Sequence, residues 1–373
     1  MKSIAKFSIS RNGEVKPIMD LTQTTATAKD VWKGVKFHNQ DGKATDGSFQ
    51  ETLLSEIIQG TIVKLVDDDM IEKVGPYALS MCTKLEILVL PVCKEIGDYG
   101  LAYCESLGSN PAQPVLDASS LTKIGNYACQ GCNSLKSVKM EINLFNLGEG
   151  TFQGCKSLTT ISPDPEVWSD VILLQQVMIV PKYCFDYCTA ITYVDGPKIT
   201  TLEAGAFSQC TSLKKANMPE LMYINDGPYY EETNMVYGGF SECFELEEIF
   251  PEVSNRGDYG KLYDIGDYAF ILDPKLVYRY LGSANTLGVY AFYGCTKLDF
   301  IYNIYEEDTK QYFPTNTFYN AIDIDHYAFS HCENFAQDVI IDDGYNTITT
   351  RNPSIYMPQI EHIGGFAFEG VFE

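Results

Sequence analysis

The chain has 373 residues, of which 45% are hydrophobic, 21% charged and 13% aromatic. This composition is typical of a folded protein and excludes collagen-like and disordered chains. The formal net charge of −23 disfavours binding to nucleic-acid backbones and to anionic membrane surfaces, because both carry the same sign of charge. Only four histidines are present, so few side chains are available as metal ligands or general bases. The composition therefore favours a binding or structural role over an enzymatic one.

The N-terminal sequence MKSIAKFSIS interrupts its apolar residues with Lys6 and two serines. It therefore lacks the apolar run of about 7 to 15 residues that marks a secretory signal. No later stretch approaches the ~20 apolar residues of a membrane-spanning helix. We expect neither a visible export signal nor insertion into a membrane.

Residues 1–60 are predicted to be a small N-terminal α+β module. They carry 8 Lys plus Arg and 7 Asp plus Glu, which leaves 27 − 8 = 19 basic and 50 − 7 = 43 acidic residues in 61–373. Residues 26–34 predict a short helix ended by a glycine, and the sequence through Ser48 predicts a hairpin turning at Asp41 and Gly42. The run from Thr61 to Val66 is a predicted strand that caps the open end of the larger C-terminal part.

From residue 74 the sequence repeats. The stretch IGNYACQGCNSLKSV, beginning at Ile124, recurs as I-G-x-Y-A-F-x-x-C-x-x-L-x-x-I, and we number its positions from 1 at the isoleucine to 9 at the cysteine. Eleven copies begin at Val74, Ile96, Ile124, Leu147, Val180, Leu202, Met235, Ile265, Leu287, Ile324 and Ile363. Their spacing never falls below 22 residues, so the pattern predicts a fixed coil that carries loops of variable length.

The spacing within one copy predicts its local structure. Ile124, Ala128 and Cys132 recur at i, i+4 and i+8, which favours one face of a short helical segment. Leu135 and Val138 then supply the apolar positions of a short strand. No copy can bury both elements alone, so residues 61–373 are predicted to be an α/β repeat, a solenoid of about eleven coils with a parallel strand wall and short helical turns.

Nine of the twelve cysteines fall on position 9. They are Cys82, Cys104, Cys132, Cys155, Cys188, Cys210, Cys243, Cys295 and Cys332. Cys129-x-x-Cys132 and the pair His331-Cys332 have spacings met in zinc sites, but a repeated small thiol packs well as a hydrophobe. We predict a structural ladder with no metal and no cofactor. Cys93 lies off the pattern, in a turn, where we expect it to be exposed.

Catalytic signatures are missing from the sequence. It contains no H-E-x-x-H, G-x-S-x-G or phosphate-binding loop. The acidic runs at 67–69, 306–308 and 342–344 lack the alternating ligand spacing of an EF-hand calcium loop, which favours solvated surface charge. We predict that the chain is not an enzyme. Enzymatic activity would need a cluster of histidines or paired carboxylates in a closed pocket.

The motif resembles one known family. LGVYAFYGCTKLDFI, from Leu287 to Ile301, and LEAGAFSQCTSL, from Leu202 to Leu213, are similar to BspA-like leucine-rich repeats of bacterial and protist surface proteins, and the resemblance covers residues 74–373. It implies a non-catalytic adhesin located on a cell surface, outside the cell or on a virion. Asp273 and Val371 depart from it at position 9.

Residues 26–47 resemble a module of phage and prophage tail proteins, which implies an alternative role as a structural component of a tail.

Two surfaces are candidates for ligand binding. Of 25 tyrosines, 18 follow residue 220, and several lie in loops: Tyr229, Tyr230, Tyr305, Tyr312, Tyr319, Tyr345 and Tyr356. The residues five and seven positions after each cysteine should point outward from the strand wall. The residues predicted to contact a protein or glycan are Tyr193, Glu248, Phe250, Phe300 and Tyr302. The alternatives are that loops cover this wall and that the loop tyrosines pack against the coils.

Overall fold

The computed structural model describes residues 8–11, 14–17, 37–38, 44–45, 60–66, 71–111, 115–140, 146–230, 235–249, 262–277, 284–298, 303–306, 311–314, 321–333, 339–342, 347–350 and 359–371. The chain divides into two compact units. The first comprises Met1–Val177 and Cys184–Thr192, and the second comprises Met178–Tyr183 and Tyr193–Glu373.

The first unit begins with two antiparallel hairpins. Strand β1 (Ser8–Arg11) pairs with β2 (Glu14–Pro17), and β3 (Phe37–His38) pairs with β4 (Ala44–Thr45). The antiparallel pairing of β3 with β4 agrees with the predicted hairpin, whereas its predicted turn at Asp41 and Gly42 lies outside the described residues. The helix predicted over 26–34 lies outside the described residues, and the boundary near residue 60 stays a prediction.

The rest of the first unit alternates between two parallel sheets. The first wall contains, in spatial order, β5 (Lys64–Val66), β7 (Ile87–Val89), β9 (Val115–Asp117), β11 (Ser137–Lys139), β12 (Thr160–Ser162) and β13 (Ile172–Leu173). The other sheet contains β6 (Lys73–Val74), β8 (Glu95–Ile96) and β10 (Lys123–Ile124). Each of these three short strands ends at position 1 of its copy, so the motif's first residue lies on the second sheet.

The second unit repeats this arrangement. Its larger sheet contains β14 (Ile179–Val180), β16 (Thr201–Leu202), β18 (Tyr223–Ile224), β21 (Asp264–Ile265), β22 (Thr286–Leu287), β25 (Asp323–Ile324) and β28 (His362–Ile363), all parallel. The second wall contains β15 (Tyr193–Asp195), β17 (Lys215–Asn217) and a parallel bridge from Lys215 to Glu248. Among the described residues of this unit, three insertions form antiparallel hairpins: β19 (Tyr229–Tyr230) with β20 (Met235–Val236), β23 (Asn303–Glu306) with β24 (Gln311–Pro314), and β26 (Val339–Asp342) with β27 (Thr347–Thr350).

The helical turns predicted from the i, i+4 spacing are not formed, and no described residue lies in an α-helix. Positions 4 to 8 are instead consecutive tight turns, in which Tyr127 and Gly131 adopt left-handed φ angles of 53° and 69°. The amide N–H groups of Tyr127, Cys129 and Gly131 donate to carbonyls of the next copy, while the amides between them donate within the turn. A helix is impossible here because left-handed residues interrupt it and every second N–H is bonded to another coil.

Stacked aromatic and aliphatic residues form the core between the sheets and the turns. In the second unit the phenylalanine rings at position 6 stack from coil to coil, with Phe270 centred 5.5 Å from Phe240 and 5.1 Å from Phe292. These side chains are completely buried. Because each copy places its ring on the same face, the repeat in sequence becomes a continuous column of rings.

The structure moves the start of the seventh copy. Ile224, and not Met235, pairs with both Leu202 and Ile265 at position 1, while Met235 belongs to the inserted hairpin. The chain follows the coil through Gly227, whose amide donates to the Asp267 carbonyl of the next copy, and returns to it at Gly238, where a Cβ atom would collide with the carbonyl oxygen of Tyr268. Sequence similarity around Cys243 hides an insertion inside the motif.

Candidate binding surface

The second wall presents one exposed aromatic side chain among the predicted contacts. Tyr193 is 36% exposed and pairs in register with Lys215, which in turn bridges to Glu248. The alternation expected of a strand is present, since Val194 and Ala216 are buried while Tyr193 and Lys215 face solvent. Tyr193, Lys215 and Glu248 thus form one outward row on adjacent strands.

One polar pair lies within this row and a second lies beside it. The ammonium of Lys215 lies 3.1 Å from a carboxylate oxygen of Glu248, and the side-chain amide of Asn217 donates to Asp195 over 2.6 Å. Partial burial and the Asp195 carboxylate raise the pKa of the Tyr193 hydroxyl, against the opposing effect of Lys215. The phenol therefore stays neutral at physiological pH and offers an O–H donor beside an apolar ring face.

Three of the predicted contacts, Phe250, Phe300 and Tyr302, lie outside the described residues. Their contact with a ligand stays a prediction. On the first wall the outward positions Thr160 and Ser162 are buried, and the amide of Asp170 donates to the Thr160 hydroxyl over 2.9 Å. A loop therefore covers β12, and the alternative of a self-covered wall holds at that strand.

The cysteines form a buried ladder of a definite geometry. All twelve are buried and none forms a disulfide bond; the burial of Cys93 contradicts the expectation that it is exposed. The thiol of a position-9 cysteine donates to the position-6 carbonyl of the preceding copy; examples are Cys132 to Leu101 at 3.2 Å, Cys188 to Phe152 at 3.0 Å and Cys332 to Phe292 at 3.0 Å. These thiols thus satisfy carbonyl groups in the interior while filling the space between coils.

Burial also decides the protonation of these groups. Loss of solvation raises the pKa of Cys82 to about 11 and raises the pKa of Cys155 and Cys295 well above the ordinary value. A protonated thiol is neither a nucleophile nor a metal ligand. Within the described residues no group of three or more His, Cys, Asp or Glu side chains could hold a metal ion.

We expect the native protein to resist thiol reagents. At pH 8 a small aromatic disulfide should label few or none of the twelve cysteines, and all twelve should react in concentrated guanidinium, because reaction requires an exposed thiolate. Ser169→Cys, at an exposed position, is the control and should label at once. Rapid labelling of the native parent chain would contradict the geometry.

The repeat geometry agrees with the comparison to known families. Residues 46–167, 118–236, 168–299 and 233–324 match the family described as "BspA type Leucine rich repeat region (6 copies)". The chain belongs to the BspA-type leucine-rich repeat family. No curated protein sequence matches it, and none of the matches supports the resemblance of residues 26–47 to a phage tail module.

Several bacterial leucine-rich repeat structures are similar to this BspA-type chain. A leucine-rich repeat protein from Bacteroides ovatus aligns over 83% of this chain and 65% of its own, with 20% identity and a TM-score of 0.47. One from Eubacterium ventriosum aligns over 85% and 86%, with 15% identity and a TM-score of 0.41. A leucine rich cell surface protein from Faecalibacterium prausnitzii aligns over 74% and 78%, with 17% identity and a TM-score of 0.36. The chain spans slightly less than two thirds of the Bacteroides protein.

In this BspA-type chain the described loop tyrosines serve partly as packing. Tyr230 places its hydroxyl 3.3 Å from that of Tyr183 and its ring edge-on to Tyr237, yet both Tyr229 and Tyr230 remain nearly half exposed. Tyr305 and Tyr312 lie opposite each other on β23 and β24, while Tyr319, Tyr345 and Tyr356 lie outside the described residues. The tyrosines of the first inserted hairpin are therefore both anchored and accessible.

Sequence reasoning missed two exposed features of the BspA-type repeats. Position-4 tyrosines stack at the turns, with Tyr99 centred 4.9 Å from Tyr77 and 5.1 Å from Tyr127. The loop after β12 exposes Trp168, one of only two tryptophans in the chain. A rare tryptophan in an interval longer than the basic coil was the sequence signal that could have indicated this exposed loop.

Across the described residues there is no helix with the length and apolarity needed to cross a bilayer.

Proposed function

We propose that this chain is a non-enzymatic surface protein that binds a protein ligand through the second wall. The family is typically one of surface proteins that bind other proteins, which supports the general role. The observation that supports the site is the row formed by Tyr193, Lys215 and Glu248, because tyrosine is enriched at protein interfaces and among the side chains that dominate binding energy, and charged groups are typical of the interface rim.

This surface is held in place by paired strands and remains partly exposed to solvent. Tyrosine contributes a large, rigid contact area at little cost in conformational entropy, and the parallel strands hold its Cα in register with Lys215. The Lys215–Glu248 pair is partly exposed, where it adds little to stability but can direct the orientation of a partner. A protein ligand with a complementary apolar and charged face fits these properties.

A binding screen tests the proposal. An array of purified extracellular proteins, with a glycan array beside it, should give at least one protein ligand. Changing Tyr193→Ala should then raise the Kd about tenfold or more. Tyr263→Ala is the matched control, because Tyr263 is 45% exposed in the same unit and lies off the wall; it should leave the Kd unchanged.

The possible results separate the alternatives. Binding to glycans alone would overturn the choice of a protein ligand. An unaltered Kd for Tyr193→Ala would overturn the assignment of the wall while leaving the role as a binding protein. No binding to either array would count against the proposed function itself.

A further inference from the structure

The loop between β12 and β13 has an exposed apolar tip. It runs from Pro163 to Asp170, and at its tip Val167 is 70% exposed and Trp168 is 53% exposed. Between the copies that begin at Leu147 and Val180, the first wall contains an additional strand, β13. Ile172 of β13 pairs directly with Ile161 of β12. The loop therefore leaves the wall and returns to it without completing a full coil.

Backbone hydrogen bonds fix the shape of this loop. A carboxylate oxygen of Asp164 accepts from the amide of Glu166 at 3.2 Å, and the Asp164 carbonyl accepts from the amide of Trp168 at 2.9 Å. At the far end the amide of Asp170 donates to the hydroxyl of the buried Thr160. None of these bonds uses the indole ring, so the fold of the loop does not depend on the tryptophan side chain.

The half-exposed ring of Trp168 leaves a large apolar area in contact with water. A fully buried tryptophan removes about 150–250 Å² from water, so covering the exposed part of this ring with a partner is favourable. Tryptophan is also the residue type most enriched among side chains that dominate binding energy. A rigid loop that presents one beside Val167 has the properties of a preorganised anchor, since little conformational entropy remains to be lost on binding.

The charges of the loop limit the kind of partner. Asp164, Glu166 and Asp170 carry its three charges, and Pro163–Asp170 contains no lysine or arginine; all three side chains are exposed. An anionic membrane surface is repelled by this arrangement. A partner pocket that accepts the indole ring is favoured if its rim carries Lys or Arg side chains.

We propose that loop 163–170 is a docking site at which Trp168 and Val167 enter an apolar pocket of a partner protein, with basic residues at its rim contacting Glu166 and Asp170. This inference rests on the proposed function and adds a second binding surface, in the first unit. The partner is a folded protein with an apolar pocket and a positively charged rim.

The test uses the full chain and the same array of extracellular proteins. For each protein bound by the parent, Trp168→Ala should raise the Kd about thirtyfold or more, and Glu166→Lys should raise it by a smaller factor that shrinks at high salt. Trp168→Phe should lie between parent and alanine variant. Tyr103→Ala, an exposed aromatic of the same unit, is the matched control and should bind as the parent does.

A fluorescence measurement reports on the indole directly. The chain contains two tryptophans, so Trp32→Phe leaves Trp168 as the only one. Adding an array protein that binds should shift its emission to shorter wavelength, because the ring leaves water. Phosphatidylcholine vesicles, added as a separate arm, should cause no shift.

Failure of this inference differs from failure of the proposed function. If a ligand is lost in Tyr193→Ala but retained in Trp168→Ala with no spectral shift, the loop assignment is overturned and the proposed function stands. A blue shift with vesicles, or binding to glycans that depends on Trp168, would overturn the choice of a protein partner. If no array protein binds the parent, both proposals are overturned together.

Discussion

Phe270→Ala is expected to lower the free energy of unfolding by about 3–5 kcal/mol, the usual cost of removing a buried phenylalanine ring. Phe270 is completely buried and stacks on Phe240 on one side and on Phe292 on the other. Its loss leaves a cavity that two neighbouring coils cannot both fill, because hydrogen bonds between coils fix their separation. The column of rings is interrupted at that point.

Chemical denaturation followed by circular dichroism measures this loss. Phe244→Ala is the control, since Phe244 belongs to the same unit and is 43% exposed; its effect should stay below about 1 kcal/mol. In a stacked repeat, stability depends on interfaces between neighbours, so the variant should also unfold less cooperatively. A loss for Phe270→Ala no larger than that of the control would contradict the column of rings.

Asp273→Cys is expected to stabilise the protein at neutral pH, and increasingly so as the pH rises. Asp273 occupies position 9, where nine other copies carry cysteine, and it is completely buried. One carboxyl oxygen accepts from the amide of Cys243 at 2.7 Å. The other has no hydrogen-bond partner among the described residues. A cysteine there can donate to the carbonyl of Phe240, as Cys295 does to Phe270 at 3.0 Å.

The pKa of Asp273 determines the sign of the pH dependence. Burial raises it well above the ordinary value, partly offset by the Cys243 amide and reinforced by Glu242. The unfolded chain releases this proton near pH ~4, whereas the folded chain retains it. The stabilising contribution of the protonated carboxyl is complete below about pH 4 and is lost as the pH rises toward the folded-state pKa, by about 1.4 kcal/mol per pH unit.

Thermal unfolding of parent and variant between pH 4 and pH 8 measures the difference. The gap in stability between Asp273→Cys and the parent should widen as the pH increases. Asp273→Asn is the control, because it keeps an acceptor for the Cys243 amide without a titrating proton, and its gap should widen in the same way. Burial raises the pKa of Glu242 as well, and this burial is present in all three chains. Parallel curves would show that Asp273 is ionised in the folded protein.

The repeat register could be predicted because it depends on residue types that recur. Cys132 and Leu135 recur at fixed spacing, and burial of both follows from the need of each coil to share its core. The outward row of Tyr193 and Lys215 follows from the two-residue period of a strand. These are local relations that hold from copy to copy.

The turns could not be predicted by the same reasoning. Ala128 and Cys132 share a face both in a helix and in a succession of tight turns, so spacing does not distinguish the two. The choice is made by carbonyls of the next copy, which take the N–H groups of Tyr127 and Cys129. A bulky residue with positive φ, such as Tyr127, is strained by itself and persists because these hydrogen bonds hold it.

Insertions set the limit on predicting the surface. Sequence similarity places the seventh copy at Met235, although strand pairing places it at Ile224. The interval before Val180 is longer than the basic coil, which shows that chain is inserted there, but its length does not show that the insertion adds β13 and exposes Trp168. In both places the motif resumes in register, so its similarity carries no information on the path of the inserted chain.

The sequence by itself determined the family, the parallel strands and the position-9 cysteines, because a motif that returns in every copy must pack against itself. Tertiary structure alone decided that the segment between strands is a set of left-handed turns, that Cys93 is buried and that Trp168 is exposed. The physical reason is the same in each case. Hydrogen bonds and contacts between coils, which join residues far apart in the chain, select one of several conformations that the local sequence permits.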